Sequence, residues 1–126
     1  MKVKSKTNLR KKADELWRKI IHLKNYCEVC GISSYLNAHH IISRSNYNLR
    51  WEVRNGCLLC PAHHKFGNPS AHGNPIWFIS WIKKYRPEDY EYLRDYKFQK
   101  MKTWHVSDYE EIIKNLEDVL NEIQNS

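Results

Sequence analysis

The sequence predicts an α+β protein in which helices surround a small two-stranded unit that a metal ion stabilises. Three observations support this fold class. Apolar residues recur at helical spacing near both ends, two short runs suited to strands lie between them, and all four cysteines fall within residues 27–60. With 126 residues, the chain fits one domain over 1–126 with a modest core, to which a bound metal would add stability.

The N-terminal segment predicts a basic arm at residues 1–8 and a helix at residues 9–24. This helix is amphipathic, and its apolar positions are separated by Lys and Arg. We expect the basic face to be solvated and also to contact phosphate. The apolar positions are Leu9, Ala13, Leu16, Trp17, Ile20 and Leu23.

The central segment predicts two strands and a helix. The strands are expected at residues 35–42 and 55–60, with a polar loop from Ser43 to Arg54 between them. Pro61 suits the first turn of a helix, because the N–H that proline lacks has no partner there. That helix would carry His63, His64 and Asn68.

The C-terminal part, residues 75–126, is predicted to be helical, with helices beginning at Pro75 and Pro87. Ser107 to Glu110 match a capping box for the last helix. The apolar face of that helix either docks on the rest of the chain or pairs with a second copy in a homodimer. An aromatic stripe at helical spacing is assigned to the core, with base stacking as the alternative. The stripe consists of Trp77, Phe78, Trp81 and Tyr85.

The formal net charge is +7, and the basic residues are concentrated in the N-terminal half. Residues 1–60 carry 12 Lys and Arg against 4 Asp and Glu, whereas residues 107–126 carry 1 against 6. This surplus indicates a polyanionic partner, and we expect DNA to contact the N-terminal half. The sequence shows neither the apolar run of a signal peptide nor one of membrane-spanning length, so we predict a cytoplasmic protein without a membrane partner.

The four cysteines are therefore expected to be thiols or metal ligands, with two disulfides as the alternative. Cys27 and Cys30 have the spacing that binds one tetrahedral ion, and Cys60 with His63 repeats it. These four residues form the predicted structural Zn2+ site. In a second possibility Cys57 replaces His63; we prefer His63, because a helix that starts after Cys60 would bring both residues near its first turn.

A second group of polar residues has a different geometry. His39 and His40 are adjacent on a predicted strand, so their side chains should point to opposite faces. His64 and Asn68 are four residues apart, which places them one turn apart on the same face of a helix.

These residues resemble the HNH, or ββα-metal, endonuclease motif in a form that carries zinc knuckles. The resemblance runs from Cys27 to Asn68 and rests on His39-His40, Asn55 and His64; we assign residues 25–72 to the zinc knuckle and this motif. A closer similarity is to the NinG (Rap) recombination nucleases of lambdoid phages. It involves Arg50-Trp51-Glu52-Val53-Arg54-Asn55, Cys60, Gly67-Asn68-Pro69 and Lys84-Tyr85.

The resemblance implies a role for each histidine of the motif. His40 would be the general base that takes a proton from the attacking water. His39 and His64 would bind one catalytic Mg2+ or Mn2+ ion, with Asn68 as the candidate third ligand and His72 or water as its rivals.

Asn55 would not touch the substrate but would hold the loop between the strands and so orient His40. Lys65, Arg44 and Arg50 could each bind phosphate or remain solvated. The implied activity is hydrolysis of DNA to 5′-phosphate and 3′-hydroxyl ends, by a phage recombination-type enzyme acting on branched DNA in a bacterial cytoplasm. The alternatives are a nicking or homing-like HNH enzyme and a non-catalytic zinc module that binds DNA.

Overall fold

The computed structural model describes residues 5–126, so the first four residues of the predicted arm lie outside the described part. None of the helices formed by residues 5–126 has the length and apolarity needed to cross a membrane. The elements in chain order are α1 (Lys6–His22), β1 (Asn37–His40), α2 (Tyr47–Arg50), a 3-10 turn (Val53–Asn55), β2 (Gly56–Leu59), a π-helical turn (Ala62–Phe66), α3 (Pro75–Tyr85), α4 (Pro87–Tyr96) and α5 (Val106–Gln124).

Helix α1 begins three residues earlier than the sequence predicted. The Ser5 side chain accepts a hydrogen bond from the Asn8 backbone N–H at 3.1 Å and caps the helix, which starts at Lys6 and ends at His22. Residues 6–8, expected in the arm, are therefore helical. Apolar spacing marks only the buried face of a helix, so it missed this polar first turn.

Strands β1 and β2 form an antiparallel hairpin within the predicted ranges, with His39 opposite Cys57 and His40 opposite Gly56. Successive side chains of a strand point to opposite faces. One face of the hairpin, with Leu58, belongs to the core beneath α1, and the other face, with Leu59, belongs to the core beneath α3. The hairpin is thus the element that places His39 and His40 on different sides.

Helix α5 packs along α1 and buries its apolar face there. The predicted face therefore docks within the chain, which is the first of the two alternatives, and it is not available for the homodimer that was the second. The buried residues of α5 are Tyr109, Ile113, Leu116 and Leu120.

The start of α5 corrects a prediction from the sequence. Asp108, in the first turn, accepts a hydrogen bond through Oδ2 from the backbone N–H of His105 at 2.8 Å, and the helix begins at Val106. The capping box predicted from Ser107 to Glu110 was wrong by two residues, because Asp108 takes the place assigned to Glu110.

The aromatic stripe of α3 mostly belongs to the core. Phe78 is buried, and Trp77 and Trp81 pack against the same cluster as Cys57. Tyr85, at the end of the stripe, is 60% exposed. Pro75 begins α3 as predicted, and Asn74 caps it by accepting from the backbone N–H of Trp77 at 3.0 Å.

Candidate active site and metal centres

The side chains of Cys27, Cys30, Cys60 and His63 converge on one point, and their ligand atoms all lie within 4.8 Å of one another. The Sγ atoms of Cys30 and Cys60 are 3.7 Å apart, and Nδ1 of His63 lies 3.3 Å from the sulfur of Cys60 and 3.9 Å from that of Cys27. Tetrahedral zinc with ordinary bond lengths requires about 3.8 Å between sulfurs and about 3.6 Å between sulfur and nitrogen. The donor set therefore fits zinc.

The turn between Cys27 and Cys30 favours the thiolate form of Cys27. The Gly31 N–H donates to the Cys27 carbonyl at 2.8 Å, and Gly31 adopts a φ of +83°, which glycine reaches without steric cost. Burial acts to raise the pKa of the Cys27 thiol, but hydrogen bonds from the backbone of Cys60, Cys30 and Val29 outweigh it and lower the pKa. A lowered thiol pKa favours the thiolate, which is the form that binds metal.

Cys57 does not join this cluster. It is fully buried on β2 and packs with Leu59 and Phe78. Burial raises its pKa, so the thiol stays protonated. The geometry therefore favours His63 over Cys57 as the fourth ligand and leaves Cys57 as a small core residue, as the sequence predicted.

Glu28 connects the zinc-binding turn to the hairpin, a contact that the spacing of the cysteines did not indicate. Its Oε2 accepts from the backbone N–H of Leu58 at 2.7 Å, and its own N–H donates to the Leu58 carbonyl at 2.9 Å. Arg86 lies 3.4 Å from the other carboxylate oxygen and donates to the carbonyl of Gly56 at 2.8 Å. These contacts fix the cysteine turn relative to β2.

His39, His64 and His72 form a second cluster whose ligand atoms also lie within 4.8 Å of one another. The Nε2 atoms of His64 and His72 are 3.1 Å apart, and the ring of His39 lies 5.0 Å from that of His64 and 4.9 Å from that of His72. Three imidazoles at these distances could hold one divalent ion.

The third member of the cluster is His72, because the chain folds back after the helical turn. The N–H of His72 donates to the His64 carbonyl at 3.0 Å. The buried Ser70 side chain donates to the Lys65 carbonyl and accepts from the Gly73 N–H, which holds this return segment in place.

Asn68 lacks the geometry that the sequence suggested for it. The π-helical turn ends at Phe66 and Gly67 is extended, so His64 and Asn68 do not lie one turn apart on a common helix face. The helical-spacing argument for Asn68 was therefore wrong, and the rival considered for the third position, His72, lies in the cluster instead.

Two of the clustered histidines are held in their neutral form. Burial, together with the charges of His64 and His72, lowers the pKa of His39 to about 3. Burial, together with the charges of His72 and Lys65, lowers the pKa of His64 to about 4. Neutral imidazole is the form that binds metal, so both side chains are available as ligands at neutral pH.

His40 points to the opposite face of β1 and stacks on Trp17 of α1, with ring centroids 4.0 Å apart and planes inclined by 9°. Its Nε2 lies 2.9 Å from the carbonyl oxygen of Arg50. Because a carbonyl oxygen only accepts hydrogen bonds, Nε2 carries the proton and Nδ1 is left free to accept one. Burial lowers the pKa of His40, which favours the neutral ring.

His39 and His40 nevertheless line one cleft of about 660 Å³, together with His64 and His72. Lys65 and Arg44, two of the predicted phosphate-binding residues, also line it, and both are exposed. The cleft therefore combines a neutral imidazole with a free nitrogen, a possible metal centre and two cations.

Asn55 is fully buried and holds the loop that follows β1. Its Oδ1 accepts from the Ile42 N–H at 2.7 Å, and its Nδ2 donates to the carbonyls of Ile42 and Leu49 at 3.0 and 3.1 Å. Asn55 does not line the cleft but supports the segment that leads to Arg50.

Arg50 is not available for phosphate, contrary to one of the expectations from the sequence. It is 8% exposed and forms a bidentate ion pair with Asp14 of α1, at 3.0 Å from Nε and 2.7 Å from Nη2. Asp14 also accepts from Trp51 Nε1 at 2.9 Å. Sequence reasoning missed Asp14, because the position of an acidic residue in a basic helix gives no signal of its partner.

The segment that carries the hairpin and the helical turn is similar to a known family of nucleases. Residues 27–66, about a third of the chain, match the family model for HNH endonuclease. The matched region contains Cys27, Cys60 and His40 but ends before His72. No curated protein and no solved structure matches the chain significantly.

Proposed function

We propose that this protein is a metal-dependent DNA endonuclease that hydrolyses phosphodiester bonds to 5′-phosphate and 3′-hydroxyl ends. The observation that carries the proposal is one cleft lined both by His40, with an unprotonated ring nitrogen, and by the three-histidine cluster. A binding module would need neither feature. The match of residues 27–66 to HNH endonucleases supports the same activity.

In this mechanism the reacting proton passes to His40. Nδ1 accepts a proton from the attacking water, while Nε2–H stays bonded to the Arg50 carbonyl and fixes the ring plane. Stacking on Trp17 prevents rotation of the ring out of the cleft. Lys65 and Arg44 bind the phosphates beside the scissile bond.

The three imidazoles of His39, His64 and His72 would hold the catalytic divalent ion. When bound, the ion supplies charge stabilisation at the phosphate and the leaving 3′ oxygen. Among the described residues, this cluster contains no carboxylate, and imidazole suits transition ions better than Mg2+. Of the two ions that the sequence suggested, we therefore expect Mn2+ to support activity better than Mg2+.

DNA is the substrate that the charge distribution supports. The N-terminal half carries the surplus of Lys and Arg, and the exposed side of α1 contributes Lys11 and Arg18 on the same helix as Asp14 and Trp17. The acidic helix α5 lies against α1 and away from the cleft lining. Similarity to the NinG nucleases favours branched DNA among possible substrates.

The test is incubation of the purified protein with linear, nicked, flapped and four-way DNA, with Mg2+, Mn2+, Ni2+ or no added ion, beside His40→Ala. We expect cleavage that requires an added ion and is lost in the variant. Preference for the four-way substrate would support the recombination-type role, and equal cutting of linear DNA would favour a nicking or homing-like enzyme. A protein that binds zinc and DNA but cuts nothing would be a non-catalytic zinc module.

A further inference from the structure

Helix α1 lies outside the segment that matches the HNH endonuclease family, yet it contacts the proposed base. The match covers residues 27–66, whereas α1 spans Lys6–His22. Asp14 and Trp17 are three residues apart and so share one face of α1. Trp17 stacks on the ring of His40. Asp14 pairs with Arg50, whose carbonyl oxygen accepts a hydrogen bond from that ring.

The contacts of Asp14 are strong ones. Its carboxylate accepts two parallel hydrogen bonds from Arg50 at 3.0 and 2.7 Å, and Arg–carboxylate pairs of this form fix geometry as well as contribute energy. The indole N–H of Trp51 adds a third bond at 2.9 Å. Arg44 contacts the same carboxylate at 3.4 Å, and Arg44 lines the catalytic cleft.

Arg50 transmits this constraint to His40 through its own backbone. Its side chain is held by Asp14, and its carbonyl oxygen accepts from Nε2 of His40 at 2.9 Å. The position of that carbonyl decides which ring nitrogen is protonated. If Nε2–H is held, Nδ1 is the atom that accepts a proton; if it is released, the other tautomer becomes available.

We infer that Asp14 is a positioning residue for His40: through Arg50 it sets the orientation and the tautomer of the base. The inference rests on the proposed nuclease function and adds a residue outside the HNH motif to the active site. Asp14 does not touch the substrate in this account. The site is therefore completed by α1, and the HNH segment alone does not contain all the groups that orient its base.

The test uses the full chain with Asp14→Asn, which keeps the size of the side chain but removes its charge and places an N–H donor against Arg50. Glu15→Gln is the matched control, since it makes the same charge change at the next, exposed residue of α1. Asp14→Glu retains the carboxylate and serves as the conservative variant. Single-turnover cleavage is measured at saturating DNA and metal, together with DNA affinity and zinc content.

We expect Asp14→Asn to lose at least about tenfold in single-turnover rate, a part of the roughly 100-fold or more that a positioned base contributes. DNA affinity should not fall, because Asp14→Asn removes a negative charge beside the cations expected to bind DNA, and zinc content should not change. Glu15→Gln should cut at the wild-type rate, and Asp14→Glu should cut faster than Asp14→Asn. A wild-type rate in Asp14→Asn would overturn the inference while leaving the nuclease function intact.

A second readout does not depend on cleavage. The 15N chemical shifts of the His40 ring should show Nε2–H and a bare Nδ1 in the wild-type protein, and a mixture of tautomers in Asp14→Asn. If Asp14→Asn does not fold, Arg50→Lys removes the same bidentate pair and should give the same mixture. An Nδ1–H tautomer in the wild-type protein would overturn the inference even if no variant folds or no DNA is cut.

Discussion

His64 and His72 are joined by two close contacts: the N–H of His72 donates to the carbonyl of His64 at 3.0 Å, and the two Nε2 atoms are 3.1 Å apart. This pairing puts both rings beside His39. Asn68, in the segment between them, is exposed and outside the helical turn. The contrast between His72 and Asn68 makes the identity of the third ligand testable.

We predict that His72→Ala weakens binding of the catalytic ion by at least about tenfold. Removing a residue that only hydrogen-bonds to a metal ligand already lowers metal affinity by about that factor. Asn68→Ala, the control from the same loop, should bind the ion normally. Titration of Mn2+ against single-turnover cleavage measures both. If His72→Ala needs no more Mn2+ than the wild type while Asn68→Ala needs more, then Asn68 is the third ligand, as helical spacing suggested.

The zinc site gives a prediction about folding. Cys27→Ser and Cys60→Ser should unfold the protein, because structural zinc supplies on the order of 10 kcal/mol of folding free energy. His63→Ala should release zinc, whereas Cys57→Ser should retain it because Cys57 lies outside the cluster. Metal analysis and thermal melting check these outcomes, and zinc loss in Cys57→Ser with retention in His63→Ala would favour an all-cysteine site.

The cysteine site could be predicted from the sequence because its information is local. Two pairs with the same short spacing define a tetrahedral donor set, whatever the rest of the fold does. The position of His72 could not be predicted in this way. It depends on a return of the chain that is held by backbone hydrogen bonds and by Ser70, and neither appears in residue spacing.

Asn55 is expected to act on orientation rather than on chemistry. Asn55→Ala removes three hydrogen bonds to the backbone of Ile42 and Leu49 and leaves buried groups unpaired, at a cost of about 1–3 kcal/mol each. We predict a lower melting temperature and a cleavage rate between those of the wild type and His40→Ala. Calorimetry and single-turnover assays test this, and an unchanged melting curve would contradict the structural role.

DNA binding should depend on exposed basic residues of α1. Lys11 and Arg18 are exposed, and they lie three residues before and four residues after Asp14, so they share its side of the helix. The double variant Lys11→Ala and Arg18→Ala should reduce the slope of log affinity against log salt by about 0.9 for each DNA phosphate that these side chains neutralise in the wild-type complex.

The matched control for this surface is Lys114→Ala, on the exposed and acidic side of α5. Its salt dependence should equal that of the wild type. Equal slopes for all three proteins would remove α1 from the DNA interface. A reduced slope in Lys114→Ala alone would place the DNA on α5 instead.

The sequence also placed the hairpin and the opposed histidines correctly, because strand alternation is a local rule. It did not reveal what each face meets. In the sequence, Trp17 and Asp14 look like any other residues of a basic amphipathic helix. Only the packing of α1 on the hairpin brings them into contact with His40 and Arg50. Contacts between distant segments are the part of the site that residue patterns omit.

The pH dependence follows from the burial of His40, which lowers its pKa below 6.5. A base must be unprotonated, so a lowered pKa moves the rise of activity to lower pH. Cleavage should therefore increase with pH below about 6.5 and be level at neutral pH. A pH–rate profile under single-turnover conditions checks this, and a rise centred well above pH 6.5 would contradict His40 as the base.

In the proposed mechanism His40 accepts the proton, while the histidine cluster holds the ion. The two roles predict different responses to excess metal. Raised Mn2+ should partly rescue His39→Ala and His64→Ala, because mass action offsets a weaker site. The same excess should not rescue His40→Ala, which lacks the acceptor itself.

The most direct measurement is single-turnover cleavage by His40→Ala, with DNA binding and zinc content measured on the same preparation. We predict a loss of at least about 100-fold in rate with both binding properties retained. Cleavage at the wild-type rate by a His40→Ala preparation free of other nucleases would contradict the account.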